Sequence, residues 1–152
     1  MRRQPPSSAA LPKASSTPYV TGVTSGSLSE YSPCATGVRC ERSSAWGTAM
    51  GDEFYRKGAN VQLGPGVCLA RVPRNGRNFE YISGEDPYLG YQMVGPAVRG
   101  IQSQKVIANA KHYALNNQET NRGAVSENVD ERTRFEMYYP PFRGAADNGV
   151  GS

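Results

Sequence analysis

Residues 106–113 read Val-Ile-Ala-Asn-Ala-Lys-His-Tyr. The run Val106 to Ala110 has the composition and length of a short buried strand. It passes directly into Lys111-His112, so a cation and an imidazole stand at a strand's C-terminal end. That is where α/β folds gather their functional side chains. The rest of the chain is read outward from this point.

Upstream, Asp86-Pro87 is a helix start, with Asp as N-cap and Pro at the first helical position. Leu89, Met93, Ala97 and Ile101 recur on one face and carry the helix to about Gln104. Pro96 predicts a kink in it. Before it lies a long polar loop, Val67 to Asp86, whose Phe79, Tyr81 and Ile82 argue against disorder. Further upstream, Ala59 to Leu63 reads as a strand stopped by Gly64-Pro65-Gly66. Ala45 to Lys57 reads as a helix, capped by Ser43 or Ser44 and stopped by Gly58. Downstream, Asp130 caps a helix from Glu131 to about Ala146, kinked or split at Pro140-Pro141. Gly149 to Ser152 opens a further strand. Helices and strands thus alternate, which predicts βα units and a parallel sheet. Such sheets are covered on both faces. Two or three strands cannot make one alone, so a piece of a larger fold is expected.

The remaining features mostly exclude. Residues 1–18 read as a flexible tail with no apolar core of a signal peptide, and residues 19–45 are turn-rich with no sustained period. Among 152 residues, 17 are basic and 13 acidic, giving a net charge of +4. No block of five like charges occurs, so the surface reads as mixed. Aromatic residues do not interleave with basic ones, and no nucleic-acid motif appears, so no nucleic-acid partner is expected. No apolar run reaches about 18 residues, so no membrane helix is expected. Cys34, Cys40 and Cys68 fit no zinc spacing, and His112 is the single histidine, so no metal and no cofactor is expected. No phosphate-binding glycine loop and no GxSxG elbow occurs.

Two polar clusters accompany Lys111-His112. Arg71-Val72-Pro73-Arg74-Asn75-Gly76-Arg77 is either a solvated basic turn bent at Asn75-Gly76, or a fork aimed at vicinal hydroxyls or at a carboxylate holding them. Asn116 to Arg122 is either a solvated loop or a set of amides and carboxylates suited to a neutral polyol. A Lys and a His at a strand end can both donate to one oxygen-rich ligand.

Three segments, in order, resemble the N-terminal barrel domain of glycoside hydrolase family 3: Lys57 to Gln102 (KGANVQLGPGVCLARVPRNGRNFEYISGEDPYLGYQMVGPAVRGIQ), Val106 to Arg122 (VIANAKHYALNNQETNR) and Val129 to Ser152 (VDERTRFEMYYPPFRGAADNGVGS). The likeness is to secreted β-glucosidases. It implies a (β/α)8 TIM-like barrel, here partial and cut before the later strands, with residues 1–44 a disordered or degenerate N-terminal segment and 45–152 the barrel fragment. It implies retaining hydrolysis of terminal β-D-glucosyl residues, with a β-glucoside or short β-glucan as substrate and an extracellular setting. Two carboxyl groups roughly 5–5.5 Å apart perform such chemistry. The resemblance places both beyond this stretch, so no catalytic residue is assigned and the fragment is expected to be inactive alone. A non-catalytic sugar-binding remnant is the alternative.

By the same resemblance, Arg77 is the sugar-binding arginine and Lys111-His112 the pair that donates to ring hydroxyls. Glu119 and Arg122 match a supporting polar layer. A non-proline cis peptide is implied between Lys111 and His112. Relatives carry an upstream aspartate in an Asp-Gly-Pro-x-Gly-Val-Arg segment, of which only Thr36-Gly37-Val38-Arg39 remains here.

Overall fold

The computed structural model describes residues 37–152. The tail, the turn-rich stretch up to residue 36 and the start of the Thr36 remnant lie outside the described residues.

The first helix, α1, spans Gly37–Arg56. It begins well before Ala45, so Ser43 and Ser44 are interior residues rather than caps. The inward stripe explains why its start escapes a search for apolar periodicity: Ser43, Gly47 and Gly51 are its buried positions, small residues rather than hydrophobic ones. Ser43 Oγ donates to Met93 O at 2.8 Å and satisfies itself inside the interface. Gly58, at φ +77°, ends the helix as expected. Ala59 N donates to Phe54 O at 2.9 Å and Gly58 N to Tyr55 O at 3.0 Å, the paired closure of a left-handed C-terminal stop.

The strand β1, Val61–Gln62, pairs in parallel with β2, Ile107–Ala108, in the register Val61↔Ile107 and Gln62↔Ala108. Both are shorter than the sequence suggests. The crossover between them carries α2, Pro87–Ser103. Asp86 caps it by accepting from Tyr88 N at 2.8 Å. The helix continues through Pro96. Met93, Ala97 and Ile101 are buried as the spacing predicts, and so are Val94, Pro96 and Val98. One stripe is expected, but α2 is enclosed on more than one side because α1 and the last helix of the chain both pack against it, besides β2. A Cβ on Gly47 would collide with Ala97 O, and one on Gly100 with Ser44 O. Glycine therefore sets how closely α1 and α2 approach.

Asp130 caps α3, Glu131–Thr133, by accepting from Thr133 N at 2.9 Å. The helix then widens into a π turn, Arg134–Tyr138, and resumes as α4, Pro140–Asp147. Pro140 has no N–H to continue the α-pattern, and Tyr139 N reaches back to Arg134 O at 3.0 Å. The split expected at Pro140-Pro141 is thus observed. Gly149 to Ser152 is not a formal strand, but it runs beside β2: Ala110 N donates to Ser152 O at 3.0 Å and Ser152 N to Ala108 O at 3.2 Å.

The core is Val67, Ile82, Met93, Val94, Val98, Ile101, Val106, Ala108 and Ala145. Each larger side chain here contributes about 1.5–3 kcal/mol by leaving water. No described helix is long and apolar enough to cross a membrane.

Candidate functional site

The site is assembled on the backbone of Gly66, just past the end of β1. Gly66 bridges in parallel to Tyr81 and to Lys111. Lys111 N donates to Pro65 O at 3.1 Å, Val67 N to Lys111 O at 2.8 Å, and Ile82 N to Gly66 O at 2.9 Å. A Cβ on Gly66 would stand 2.6 Å from Glu80 O and 2.9 Å from a Tyr81 ring carbon. This residue therefore draws the end of the arginine loop and the end of β2 to one place.

Ser83 Oγ donates to Val67 O at 2.7 Å and anchors the loop from below. Two short 3₁₀ turns, Pro73–Asn75 and Asn78–Glu80, bend it. They turn Arg77 inward and leave Arg71 and Arg74 exposed. The two readings of the basic turn thus divide by residue: Arg77 is the aimed fork, and the other two are solvated.

Arg77 grips Glu80 with two bonds, Nε to Oε1 at 2.7 Å and Nη2 to Oε2 at 3.0 Å. Lys111 Nζ reaches the same Oε2 at 3.1 Å. Arg77 Nη2 also lies 3.3 Å from His112 Nε2. Arg77, Lys111 and His112 are thereby brought together. Glu119 Oε2 approaches Arg77 Nη1 at 3.5 Å and Arg122 Nη1 at 3.4 Å. Glu119 N donates to Asn75 O at 2.9 Å, so the two loops are paired at the backbone as well.

His112 is fixed on every side. A guanidinium offers only donors, so Nε2 accepts from Arg77 and the ring proton sits on Nδ1. Nδ1 faces Tyr81 Oη at 3.2 Å and donates to it. Burial, then the adjacent Lys111 and Arg77 charges, lowers the His112 pKa from 6.5 to about 4. The imidazole is neutral near neutral pH. The peptide Lys111-His112 is cis, as the resemblance implies. The main chain of His112 is held by one thiol: His112 N donates to Cys68 Sγ at 3.2 Å, and Cys68 Sγ donates to His112 O at 3.3 Å. Burial raises the Cys68 pKa to about 11, so it remains a thiol. For Glu80, burial opposes the charge, but the bonds from Arg77 and Lys111 prevail and its pKa is lowered.

Sequence reasoning missed Glu80, Tyr81 and Cys68 as members of this site. Glu80 left a signal: it is the acidic residue three positions after Arg77. Tyr81 and Cys68 left none, since only the bridge at Gly66 and the β1–β2 pairing bring them to His112.

The chain resembles proteins already known. A family model described as "Glycosyl hydrolase family 3 N terminal domain" matches residues 33–152. Beta-glucosidase BoGH3A of Bacteroides ovatus is 46% identical over 104 residues, 68% of this chain and 14% of that protein. Thermostable beta-glucosidase B of Acetivibrio thermocellus is 44% identical over 117 residues, 74% of this chain and 15% of that protein. Among solved structures, DesR, a β-glucosidase from Streptomyces venezuelae in complex with D-glucose, superposes with a TM-score of 0.69 at 35% identity. That match covers 73% of this chain and 14% of the other. The β-glucosidase 3B of Thermotoga neapolitana, in complex with α-D-glucose, gives 0.68 at 44% identity over 72% of this chain and 15% of the other. The chain thus spans about one-seventh of the length of these relatives. Its Gly66-centred site lies inside the matched stretch, and the chain belongs to the glycosyl hydrolase family 3 N terminal domain family.

Proposed function

We propose that this chain supplies the glucose-holding part of a retaining β-glucosidase site. Arg77, Lys111 and His112 bind hydroxyls of a terminal β-D-glucosyl unit in a β-glucoside or short β-glucan. The observation that carries this is the 3.3 Å approach of Arg77 Nη2 to His112 Nε2, with Lys111 sharing the Glu80 carboxylate. Glu80 pairs with both cations and fixes their heads before a ligand arrives, which lowers the ordering cost of binding. Lys111 donates to sugar oxygens. Neutral His112 accepts from a sugar hydroxyl at Nε2, while Arg77 stays gripped on Glu80 by its two other bonds. An extracellular setting follows from the same family reading.

Neither carboxylate of this cluster suits the chemistry. Glu80 is bound by both cations, and Glu119 lies between Arg77 and Arg122. A nucleophile needs access to the anomeric carbon, and a general acid needs a raised pKa. We therefore expect the 152-residue chain by itself to leave an aryl β-glucoside intact; steady turnover by the purified chain would overturn that. Titration with glucose or gluconolactone tests the binding role. A saturable signal weakened at least tenfold in Lys111→Ala supports it, and an equal signal in both proteins rejects it.

A further inference from the structure

The Asn75-Gly76 turn is more than a bend. Asn-Gly pairs are open to attack of the glycine amide nitrogen on the asparagine side chain, because glycine places no Cβ in the way. Whether this happens in a folded chain depends on what holds the two groups. The sequence has another such pair, Asn148-Gly149, and the structure treats the pairs differently.

Asn148 is held at each reacting atom. Its Nδ2 donates to Gly144 O at 2.8 Å, its Oδ1 accepts from Arg99 Nη1, and Gly149 N donates to Ala146 O at 3.0 Å. Asn75 is held only by its main chain: its N donates to Val72 O at 3.2 Å and its O accepts from Glu119 N at 2.9 Å. Among the described residues its side-chain amide makes no hydrogen bond, and the Gly76 N–H has only the closing contact of the 3₁₀ turn, toward Pro73 O. Gly76 is exposed and stands at φ +89°.

We propose that Asn75 is a self-modification site, converted in the folded protein to aspartate and isoaspartate. The deprotonated Gly76 nitrogen attacks Asn75 Cγ. A C–N bond forms, the Cγ–Nδ2 bond breaks, and ammonia leaves a cyclic imide. Water then opens the ring at either carbonyl. The net change is amide plus water to carboxylic acid plus ammonia, with no oxidant or reductant. The product places a new carboxylate two residues before Arg77, at the turn that aims it. The isoaspartyl form also routes the main chain through the former side chain, lengthening it between the Asn75–Glu119 pairing and Arg77.

The test ages the full chain in warm, mildly alkaline buffer, folded and in denaturant, and maps the peptides by mass and by isoaspartate content. In the folded protein the Asn75 peptide is expected to convert while the Asn148 peptide keeps its amide; in denaturant both convert. Asn75→Gln should abolish the folded-state conversion, and Asn75→Asp, a stand-in for one product, should fold. Equal or faster conversion at Asn148 in the folded protein would overturn the proposal. So would an unreacted Asn75 in the folded chain alongside conversion of the denatured one.

Discussion

Arg77 Nη2 stands 3.3 Å from His112 Nε2, and because arginine can only donate, this one contact fixes the histidine's tautomer. The proton is placed on Nδ1, Tyr81 Oη becomes its acceptor, and the ring is held neutral. The Arg77 fork in turn is held by Glu80, so orientation passes from a carboxylate through a guanidinium to an imidazole.

The chain should lose stability as pH falls from about 6.5 to about 4. The His112 pKa is lowered from 6.5 to about 4, so in this window the unfolded chain binds a proton that the folded one refuses. The contribution is whole above the ordinary value and has no further effect below about 4. The shift sets a ceiling of roughly 3 kcal/mol; the ring is only partly buried, so about 1–2 kcal/mol is expected. Urea unfolding across this range, compared with His112→Gln, checks it: the variant should be flatter between pH 6.5 and 5.

Glu80→Gln should be costly out of proportion to its size. It leaves the Arg77 and Lys111 cations side by side, with the Arg77 and Glu80 side chains only 14% and 10% exposed. A loss of about 2–4 kcal/mol in urea unfolding is expected, together with at least tenfold weaker glucose binding. Glu119→Gln is the contrast: at 49% exposure it should cost less than about 1 kcal/mol.

Gly100→Ala should drive α1 away from α2, since its Cβ would meet Ser44 O. Overpacking of this kind costs about 1–3 kcal/mol. Thermal unfolding should show a lowered midpoint, whereas Gly123→Ala, where a Cβ would meet nothing within 4 Å, should not.

Met93→Ala should lose about 2–5 kcal/mol, because the side chain is 1% exposed in the main cluster and its removal leaves a cavity. Chemical denaturation with unchanged slope would register it as a pure stability loss.

Sequence pattern captured the elements whose signals are local. Asp86 and Asp130 cap where their positions indicate, Gly58 stops α1, and Pro140-Pro141 splits the last helix. The parallel pairing of β1 and β2 followed from alternation of helix and strand. The start of α1 was illegible because its inward stripe is Ser43, Gly47 and Gly51, which carries no hydropathy signal. The extent of burial on α2 was illegible because a single-face reading cannot know that a second helix packs behind. In the site, Arg77, Lys111 and His112 were found through strand ends and resemblance. Tyr81 and Cys68 could not be, since their roles exist only once Gly66 joins two distant segments.

The most direct test of the convergence of Arg77, Lys111 and His112 is the pH titration of the single histidine by proton NMR. With one imidazole in the chain, the signal needs no assignment. The account gives a midpoint near 4 in the folded protein, moving upward in Arg77→Met. A midpoint near 6.5 in the folded chain, unmoved by that substitution, would contradict it.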